Sequence, residues 1–468
     1  MKKADKRGMV KISRKDKEKA LEAIRKGTID AADIGLPNLI DAMILKMKQE
    51  GILGLLEMAF SDKRSENLNI PFHLIFTLAI AAKMKIKTSL TDVPFAITDA
   101  QTLSEIGWNI WDNERSLEEG LMTEGTIRNL VGKYGAEEMI QGYNRYVQEY
   151  IFPKMGIEPD IHILDCTELE VKLGNSNYEN SEVIKDEEGS RRGYKLASIR
   201  GITGDTGILE EIEFGDIKVH DLELSREMVK KSKMFKPGDI LINDRGFLSR
   251  ELMNYLKRER GVDTYIPLRK NMEAYEQAVS VAKERNQWQD HPNKERKGQK
   301  IAFVEALGSH WRSETPEDDV GLNGCVVYDS KEDKYFVFIT TDENKTARQI
   351  LRTYELRPEI EEDYRQIKDF WQIEDFKSTK YNFIAFHIIM VLIGYLFFQL
   401  YKGMEEGKKY QGKTLPVAVK KFTGDAPKIV VIYAGQYFGL FGFLEFIQLY
   451  ASCGIEVKRR LDPILGKV

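Results

Sequence analysis

Glu361 stands among aromatic and basic side chains on one predicted helix face between positions 354 and 368. Steps of three, four, three, one and three residues place six side chains on or beside one face of a helix: Tyr354, Arg357, Glu361, Tyr364, Arg365 and Lys368. Arginine and lysine side chains bind phosphate oxygens. The face is therefore suited to chemistry at a phosphate group, although a solvated surface helix with mixed charges has the same periodicity.

Two aspartates further upstream follow apolar runs. The run IHILDCTELEV, from Ile161, predicts a strand that reaches Asp165, and PGDILINDRGF predicts a short strand over residues 240–242 that is followed by Asp244. An ionised acid at the end of a buried strand is costly unless it is paired or bound to a metal. Asp165 is therefore a candidate metal ligand, and an aspartate that caps a turn is the alternative interpretation.

Carboxylates that meet at one site have a defined chemistry, which would apply if Asp165, Asp244 and Glu361 were brought together. Three carboxylates within a few ångströms repel one another, and divalent cations remove that repulsion. A site with carboxylate ligands alone favours Mg²⁺ or Mn²⁺ over zinc. Two such ions can activate an attacking oxygen and stabilise the leaving oxygen in an in-line displacement at phosphorus.

The motifs around these acids resemble those of a known enzyme family. Tyr354, Arg357, Glu361 and Lys368 fill the spacing Tyr-x2-Arg-x3-Glu-x6-Lys, and Asp-Arg-Gly-Phe begins at Asp244. Both resemble motifs of the DDE transposases of bacterial insertion sequences, the group named for its Tyr-Arg-Glu-Lys signature. The resemblance covers roughly residues 160–400 and implies a DNA transposase that cleaves at transposon ends and joins the freed 3′-hydroxyl to target DNA.

The resemblance also implies roles for individual residues. Asp165 would bridge two Mg²⁺ ions, for which Mn²⁺ can substitute, while Asp244 and Glu361 would each hold one ion. The implied DNA contacts come from the signature residues and one further arginine: Tyr354, Arg357, Lys368 and Arg245. Further basic residues that could line the DNA path, each also explained as an ordinary surface charge, are Arg191, Arg192, Lys195 and Arg200.

Two details close to Glu361 are open at this level. Proline disfavours helical geometry at the residue before it, so the helix can begin at Pro358 and leave Tyr354 and Arg357 on a preceding turn. Glu362 and Asp363 are rival acids, but neither fits the register of the signature. We therefore keep Glu361 as the third acid.

The elements that must position these residues form an α/β fold. From residue 160 to 268 the order is strand, strand, strand, helix, strand, helix, strand, which is the order of an RNase H-like mixed sheet flanked by helices. The predicted domains are an N-terminal helical DNA-binding domain with a basic arm (1–155), the RNase H-like core (156–268 plus 342–404), a β-rich insertion (269–341) and a C-terminal helical region (405–468). Helices near 123–150 form either a DNA-reading unit or a plain helical bundle.

Composition and charge favour a globular protein of the cytoplasm that associates with the nucleoid. The net charge of the 468 residues is −4, yet residues 1–27 are strongly basic and form either an arm along a phosphate backbone or a frayed terminus. Three scattered cysteines indicate neither a disulfide framework nor a zinc site. The apolar run over 383–398 contains His387 and is short for a membrane span. We therefore expect a buried helix there, and we do not expect the protein to bind a membrane.

The expected partners are the terminal inverted repeats of the element, target DNA and a second copy of the chain in the synaptic complex. Two other functions are open. One is an RNase H-like nuclease that cuts without strand transfer, and the other is a non-catalytic DNA-binding protein derived from a transposase. Retention of Asp165, Asp244 and Glu361 favours the enzyme.

Overall fold

The computed structural model of the protein describes residues 14–35, 38–64, 70–97, 100–107, 122–186, 189–307, 319–425, 429–435 and 437–465. The chain divides into two compact units. The central unit consists of Ile140–Lys368 and Thr379–Tyr381, and the terminal unit consists of Met1–Met139, Asp369–Ser378 and Asn382–Val468. The four domains proposed from the sequence remain predictions beside these two units.

Ten strands of the described residues form one sheet in the central unit, and four form a second sheet in the terminal unit. In chain order the strands are β1 (Arg14–Lys15), β2 (Ala31–Gly35), β3 (Ile161–Val171), β4 (Glu182–Asp186), β5 (Gly189–Thr203), β6 (Thr206–Asp216), β7 (Ile240–Asn243), β8 (Asp263–Pro267), β9 (Gln289–Asp290), β10 (Gln299–Leu307), β11 (Leu322–Asp329), β12 (Lys334–Thr340), β13 (Ile429–Ala434) and β14 (Tyr437–Gly442).

The helices are numbered in the same way. They are α1 (Lys17–Arg25), α2 (Leu39–Gln49), α3 (Leu56–Ala59), α4 (Phe72–Met84), α5 (Ala100–Glu105), α6 (Glu124–Val131), α7 (Ala136–Arg145), α8 (Phe152–Met155), α9 (Asp221–Lys231), α10 (Arg250–Tyr255), α11 (Glu273–Arg285), α12 (Ala347–Tyr354), α13 (Pro358–Trp371), α14 (Tyr381–Gly403), α15 (Leu415–Asp425), α16 (Phe443–Ser452) and α17 (Ile455–Leu465).

The large sheet has the mixed, RNase H-like architecture that the sequence predicts. Its strand order is β4-β5-β3-β7-β8-β12-β11-β10-β9, with β6 paired to β5. Strands β3, β7 and β8 are parallel neighbours, whereas β5 and β6 form an antiparallel hairpin. Gly204 has a φ of +57° in the turn of this hairpin, a conformation that glycine adopts at low cost.

The predicted β-rich insertion extends the large sheet. Strand β12 pairs with β8, with Ile339 opposite Ile266, and β11, β10 and β9 follow outward. Apolar side chains of β10, β11 and β12 join the same hydrophobic cluster as those of β7 and β8. The segment also contains α11, whose alanines Ala274, Ala278 and Ala282 are buried. The insertion therefore supports the sheet that carries the predicted acids.

The terminal unit joins the two ends of the chain in one small sheet. Strand β1 is parallel to β14, and β2 is antiparallel to β13. Residues 1–13, which are part of the predicted basic arm, lie outside the described residues. Helix α1 belongs to the described part of the arm, and its residues Ala20 and Ile24 are buried. The N-terminal part is mainly helical, as predicted, while residues 405–468 contain β13 and β14 in addition to helices.

Helix α14 is a core helix. Among the described residues it is the helix long and apolar enough to cross a membrane, and its most apolar window is completely buried inside the protein. His387 is buried in it, and its Nε2 lies 3.1 Å from the carbonyl oxygen of Gln372. A buried polar group that is hydrogen-bonded within the protein agrees with the predicted core helix.

Candidate active site

Asp165 and Asp244 lie on neighbouring parallel strands of the large sheet. Asp165 belongs to β3, and Asp244 directly follows β7. Leu164 is paired with Asn243 in the register of these strands. The two aspartates therefore follow the same residue pair. The topology places them side by side although they are 79 positions apart in the sequence.

The environment of Asp165 differs from the predicted strand end. Strand β3 continues to Val171 because it remains paired with β5, while its parallel pairing with β7 ends at Leu164. Asp165 is consequently 9% exposed. The backbone N–H of Cys166 donates to its Oδ1 at 2.9 Å, which partly compensates the buried charge.

Glu361 lies in the first turn of α13, which begins at Pro358. The helix thus starts where the proline allows it. The side chain of Glu361 is 52% exposed. The rival acids are engaged elsewhere, because Glu362 accepts from Arg365 at 2.7 Å and Asp363 is buried and bonded to β5.

The guanidinium of Arg357 lies among all three predicted acids. Its Nη2 is 3.0 Å from Asp165 Oδ2 and 3.7 Å from Asp244 Oδ2, and its Nη1 is 2.5 Å from Glu361 Oε1. The Arg357 side chain is 17% exposed. A single cation therefore bridges carboxylates from β3, from the end of β7 and from α13.

The electrostatics of this cluster are unfavourable to three free carboxylates. Burial raises the pKa of Asp165 to about 6; Arg357 opposes this rise, and the charges of Asp244 and Glu361 add to it. For Arg357, desolvation alone would lower the pKa, but the surrounding acids outweigh it and raise the pKa. One guanidinium does not neutralise three carboxylates, so the cluster retains an excess of negative charge.

The donor set fits divalent metal ions of the hard type. The three acids offer carboxylate oxygens, which Mg²⁺ and Mn²⁺ prefer, and they already surround one cationic group. Among the described residues, no three His, Cys, Asp or Glu side chains are grouped as a ready-made metal site. A divalent cation bound by the same oxygens would compete with the Arg357 guanidinium.

The other signature residues contact protein groups around the acids. Tyr354 packs on the ring of Phe338, with centroids 4.7 Å apart. The ammonium of Lys368 donates to the carbonyl oxygen of Glu168 at 2.6 Å. Tyr364, on the same helix face, donates to the carbonyl oxygen of Asp165 at 2.8 Å. Two hydrogen bonds, from residues one helical turn apart, therefore join α13 to the backbone of β3. The bond from Tyr364 holds the backbone of Asp165.

A basic and aromatic cleft of about 820 Å³ opens beside Asp244 and Arg357. Arg245, which was predicted to contact DNA, is exposed in it. Arg269 and Lys270 also line the cleft and are exposed, although the sequence reasoning missed them. The available signal is a basic pair that begins two positions after the end of β8, the parallel neighbour of β7. These cations suit a phosphate backbone that approaches the acids.

Most of the further basic residues considered for a DNA path are bonded to acids in this structure. The pairs are Arg191 with Glu168, Lys195 with Asp221, and Arg200 with Glu359 and Asp363. The guanidinium of Arg192 donates to the carbonyl and hydroxyl oxygens of Ser181. These side chains therefore connect the protein's own strands and helices.

Comparison with known proteins identifies one family. Residues 158–397 match the family described as "Transposase DDE domain". The matched segment covers just over half of the chain and contains Asp165, Asp244 and Glu361. A search of curated proteins gave no match.

Proposed function

The chain belongs to the transposase DDE-domain family, and from that premise we propose that it cleaves DNA at the ends of its own mobile element and joins those ends to target DNA. Membership in the family makes it a DNA-acting polynucleotidyl transferase that uses divalent metal ions. The observation that carries the finer proposal is the contact of one guanidinium, that of Arg357, with three acids from separate elements of an RNase H-like sheet.

We assign the metal ligands to Asp165, Asp244 and Glu361, with two Mg²⁺ ions as the natural cofactor and Mn²⁺ as a substitute. Bound metal ions would supply activation of the attacking oxygen and stabilisation of the leaving oxygen. With a pKa of about 6, Asp165 is mainly ionised at neutral pH and can serve as a ligand. Tyr364 holds the backbone of Asp165 in place through its hydroxyl.

The basic residues around the acids would hold the DNA backbone. When Arg357 leaves the carboxylates, its planar guanidinium can bind a phosphate through two hydrogen bonds. Arg245, with Arg269 and Lys270, would bind the strand that lies in the cleft beside Asp244. Tyr354 and Lys368 complete the signature Tyr-x2-Arg-x3-Glu-x6-Lys, and on that ground we propose that the protein belongs to the Tyr-Arg-Glu-Lys group. We further propose that two copies act together on a pair of transposon ends in the cytoplasm.

A strand-transfer assay tests this function. Purified protein is mixed with Mg²⁺, DNA that carries the inverted repeats flanking the gene, and a plasmid target. Joined products indicate a transposase, cut ends alone indicate a nuclease, and a mobility shift without products indicates a DNA-binding protein.

The first prediction concerns Asp165→Asn in the same assay. The substitution removes a charged ligand and nearly preserves the side-chain volume, so cleavage should fall at least about 10³-fold while DNA affinity changes little. Asp160→Asn, five positions earlier and before β3, is the matched control and should retain activity. Cleavage by Asp165→Asn at the wild-type rate would remove Asp165 from the active site.

A further inference from the structure

Arg200 connects the large sheet to the helix that carries Glu361. It lies in β5 and is 8% exposed. Its Nε donates to Asp363 Oδ2 at 2.7 Å, and its Nη1 donates to Glu359 Oε2 at 2.6 Å. The two acids are four residues apart in α13, so they project from the same face on successive turns. One guanidinium therefore holds two turns of this helix against the sheet.

Stability alone is a weak explanation for this ion pair. Both Arg200 and Asp363 are buried, and the cost of removing two charges from water is commonly as large as the attraction between them. Apolar side chains of similar size would pack a helix on a sheet at least as well. The charged contact adds a fixed orientation of the helix. A guanidinium that is hydrogen-bonded through two of its nitrogens restricts rotation of the helix about its axis.

Strand β6 is shaped to let Arg200 reach the helix. A Cβ atom at Gly207 would lie 1.9 Å from the Cζ and Nη2 atoms of Arg200. Such an approach is far inside van der Waals contact, so any side chain at position 207 would displace the guanidinium. Glycine at this position therefore leaves the space through which Arg200 bonds to α13.

The bonded face determines where Glu361 points. In an α-helix each residue is rotated by about 100°, so Glu361 is turned about 200° from both Glu359 and Asp363. When these two acids face β5, Glu361 faces away from Arg200. It then lies 2.5 Å from Arg357, which also contacts Asp165.

We propose that Arg200 is a positioning residue for the catalytic centre: by holding Glu359 and Asp363 it sets the rotation of α13 that aims Glu361 at Asp165 and Asp244. Gly207 contributes to the same positioning because it provides the space for the Arg200 guanidinium. This inference rests on the proposed function of the three acids. Arg200 itself contacts neither metal nor DNA in this role.

A double-mutant cycle on Arg200 and Gly207 tests the inference. Arg200→Lys keeps the charge but loses the two-point contact, and Gly207→Ala displaces the guanidinium without removing it. For each variant, the cleavage rate of DNA with the flanking repeats is measured against Mn²⁺ concentration, together with DNA affinity and melting temperature. We expect each single variant to need about 10- to 100-fold more Mn²⁺ for half-maximal rate, with DNA affinity within about twofold of wild type.

The double variant distinguishes a loss of helix positioning from a nonspecific loss of structure. Lysine lacks the planar group that the added methyl at position 207 would strike, so Gly207→Ala should have little further effect in the Arg200→Lys background. Lys218→Ala removes the exposed Lys218–Glu182 ion pair and should leave the Mn²⁺ dependence unchanged. Additive effects of the two substitutions, or a wild-type Mn²⁺ dependence in both single variants, would overturn the assignment.

Direct metal binding distinguishes this inference from the proposed function. Mn²⁺ is titrated calorimetrically into each protein without DNA, with Glu361→Gln as the reference for a lost ligand. If the wild type binds Mn²⁺ but does not cleave, the proposed reaction fails, and weaker binding by Arg200→Lys and Gly207→Ala still supports positioning. If these two variants bind Mn²⁺ as tightly as the wild type, the positioning role is wrong.

Discussion

At Arg357 one guanidinium is surrounded by three carboxylates that would otherwise repel one another. Its contacts with Asp165, Asp244 and Glu361 give the cluster a positive centre. A metal ion that binds the same oxygens must compete with this guanidinium. We therefore expect Arg357 to stabilise the protein without metal and to weaken its affinity for metal.

Arg357→Ala should separate these two effects. Loss of charged hydrogen bonds to partly buried acids should lower the free energy of unfolding without metal by about 1–3 kcal/mol. Because competition is removed, added Mn²⁺ should raise the melting temperature of Arg357→Ala more than that of the wild type. Melting curves with and without Mn²⁺ measure both changes.

Arg365→Ala is the control for this substitution. Arg365 pairs with Glu362 on the same helix, its side chain is 50% exposed, and it does not bridge the three acids. This variant should show the wild-type response to Mn²⁺. A smaller Mn²⁺ response in Arg357→Ala than in the wild type would mean that Arg357 helps metal binding rather than competing with it.

At the scale of elements, a buried histidine ties three parts of the large sheet together. His162 of β3 lies 2.6 Å through Nδ1 from Glu210 of β6, and 3.3 Å through Nε2 from Asp239, which precedes β7. His162 and Glu210 are completely buried. Burial alone would lower the pKa of His162, but Glu210 and Asp239 outweigh it and raise the pKa to about 9.

This pKa predicts how stability depends on pH. The folded-state pKa of His162 is above its ordinary value of 6.5, so protonation favours the folded state. The stabilisation is complete below about pH 6.5 and is lost as pH rises through about 9. We expect the unfolding free energy of the wild type to fall by an amount on the order of 1–3 kcal/mol over this pH range. Urea denaturation curves recorded at several pH values measure this change.

His162→Gln should flatten this part of the pH profile. The amide cannot take up the proton, so the variant should be less stable at pH 6.5 and approach the wild type near pH 9. His220→Gln is the control, because His220 is exposed before α9 and should keep the wild-type slope. Equal slopes for His162→Gln and the wild type between pH 6.5 and 9 would show that the imidazole does not titrate there.

The same elements show which features the sequence can predict. Asp244 and Glu361 are each embedded in a local motif, and β3, β7 and α13 have clear apolar periodicity, so their assignment needs only neighbouring residues. The bond between Arg200 and Asp363 joins residues 163 positions apart. No local pattern encodes such a contact, and the pairing becomes visible when the sheet and helix are assembled.

At the scale of the whole chain, the ends of the sequence depend on each other. Arg460 donates to the carbonyl oxygen of Ile29 at 2.6 Å across 431 positions. Strand β2 is paired along its length with β13, from Ala31 opposite Tyr433 to Gly35 opposite Ile429. The sequence predicts a helical region for residues 405–468. It does not predict β13 and β14, because these strands are short and their partners β1 and β2 are far away in the sequence. Such pairing is slow to form, since its loop-closure entropy must be paid first.

Deletion of residues 429–468 tests this dependence. It removes β13 and β14, so the amides of β2 lose their hydrogen-bond partners, and Ile24 and Ile29 lose most of their shared hydrophobic cluster. Hydrogen exchange at residues 31–35 should therefore rise to nearly the rate of an unstructured peptide. Amides of β3 are the internal control, because their partners β5 and β7 remain. Undiminished protection of residues 31–35 in the shortened chain would mean that β2 is held by contacts other than the sheet formed by the two ends.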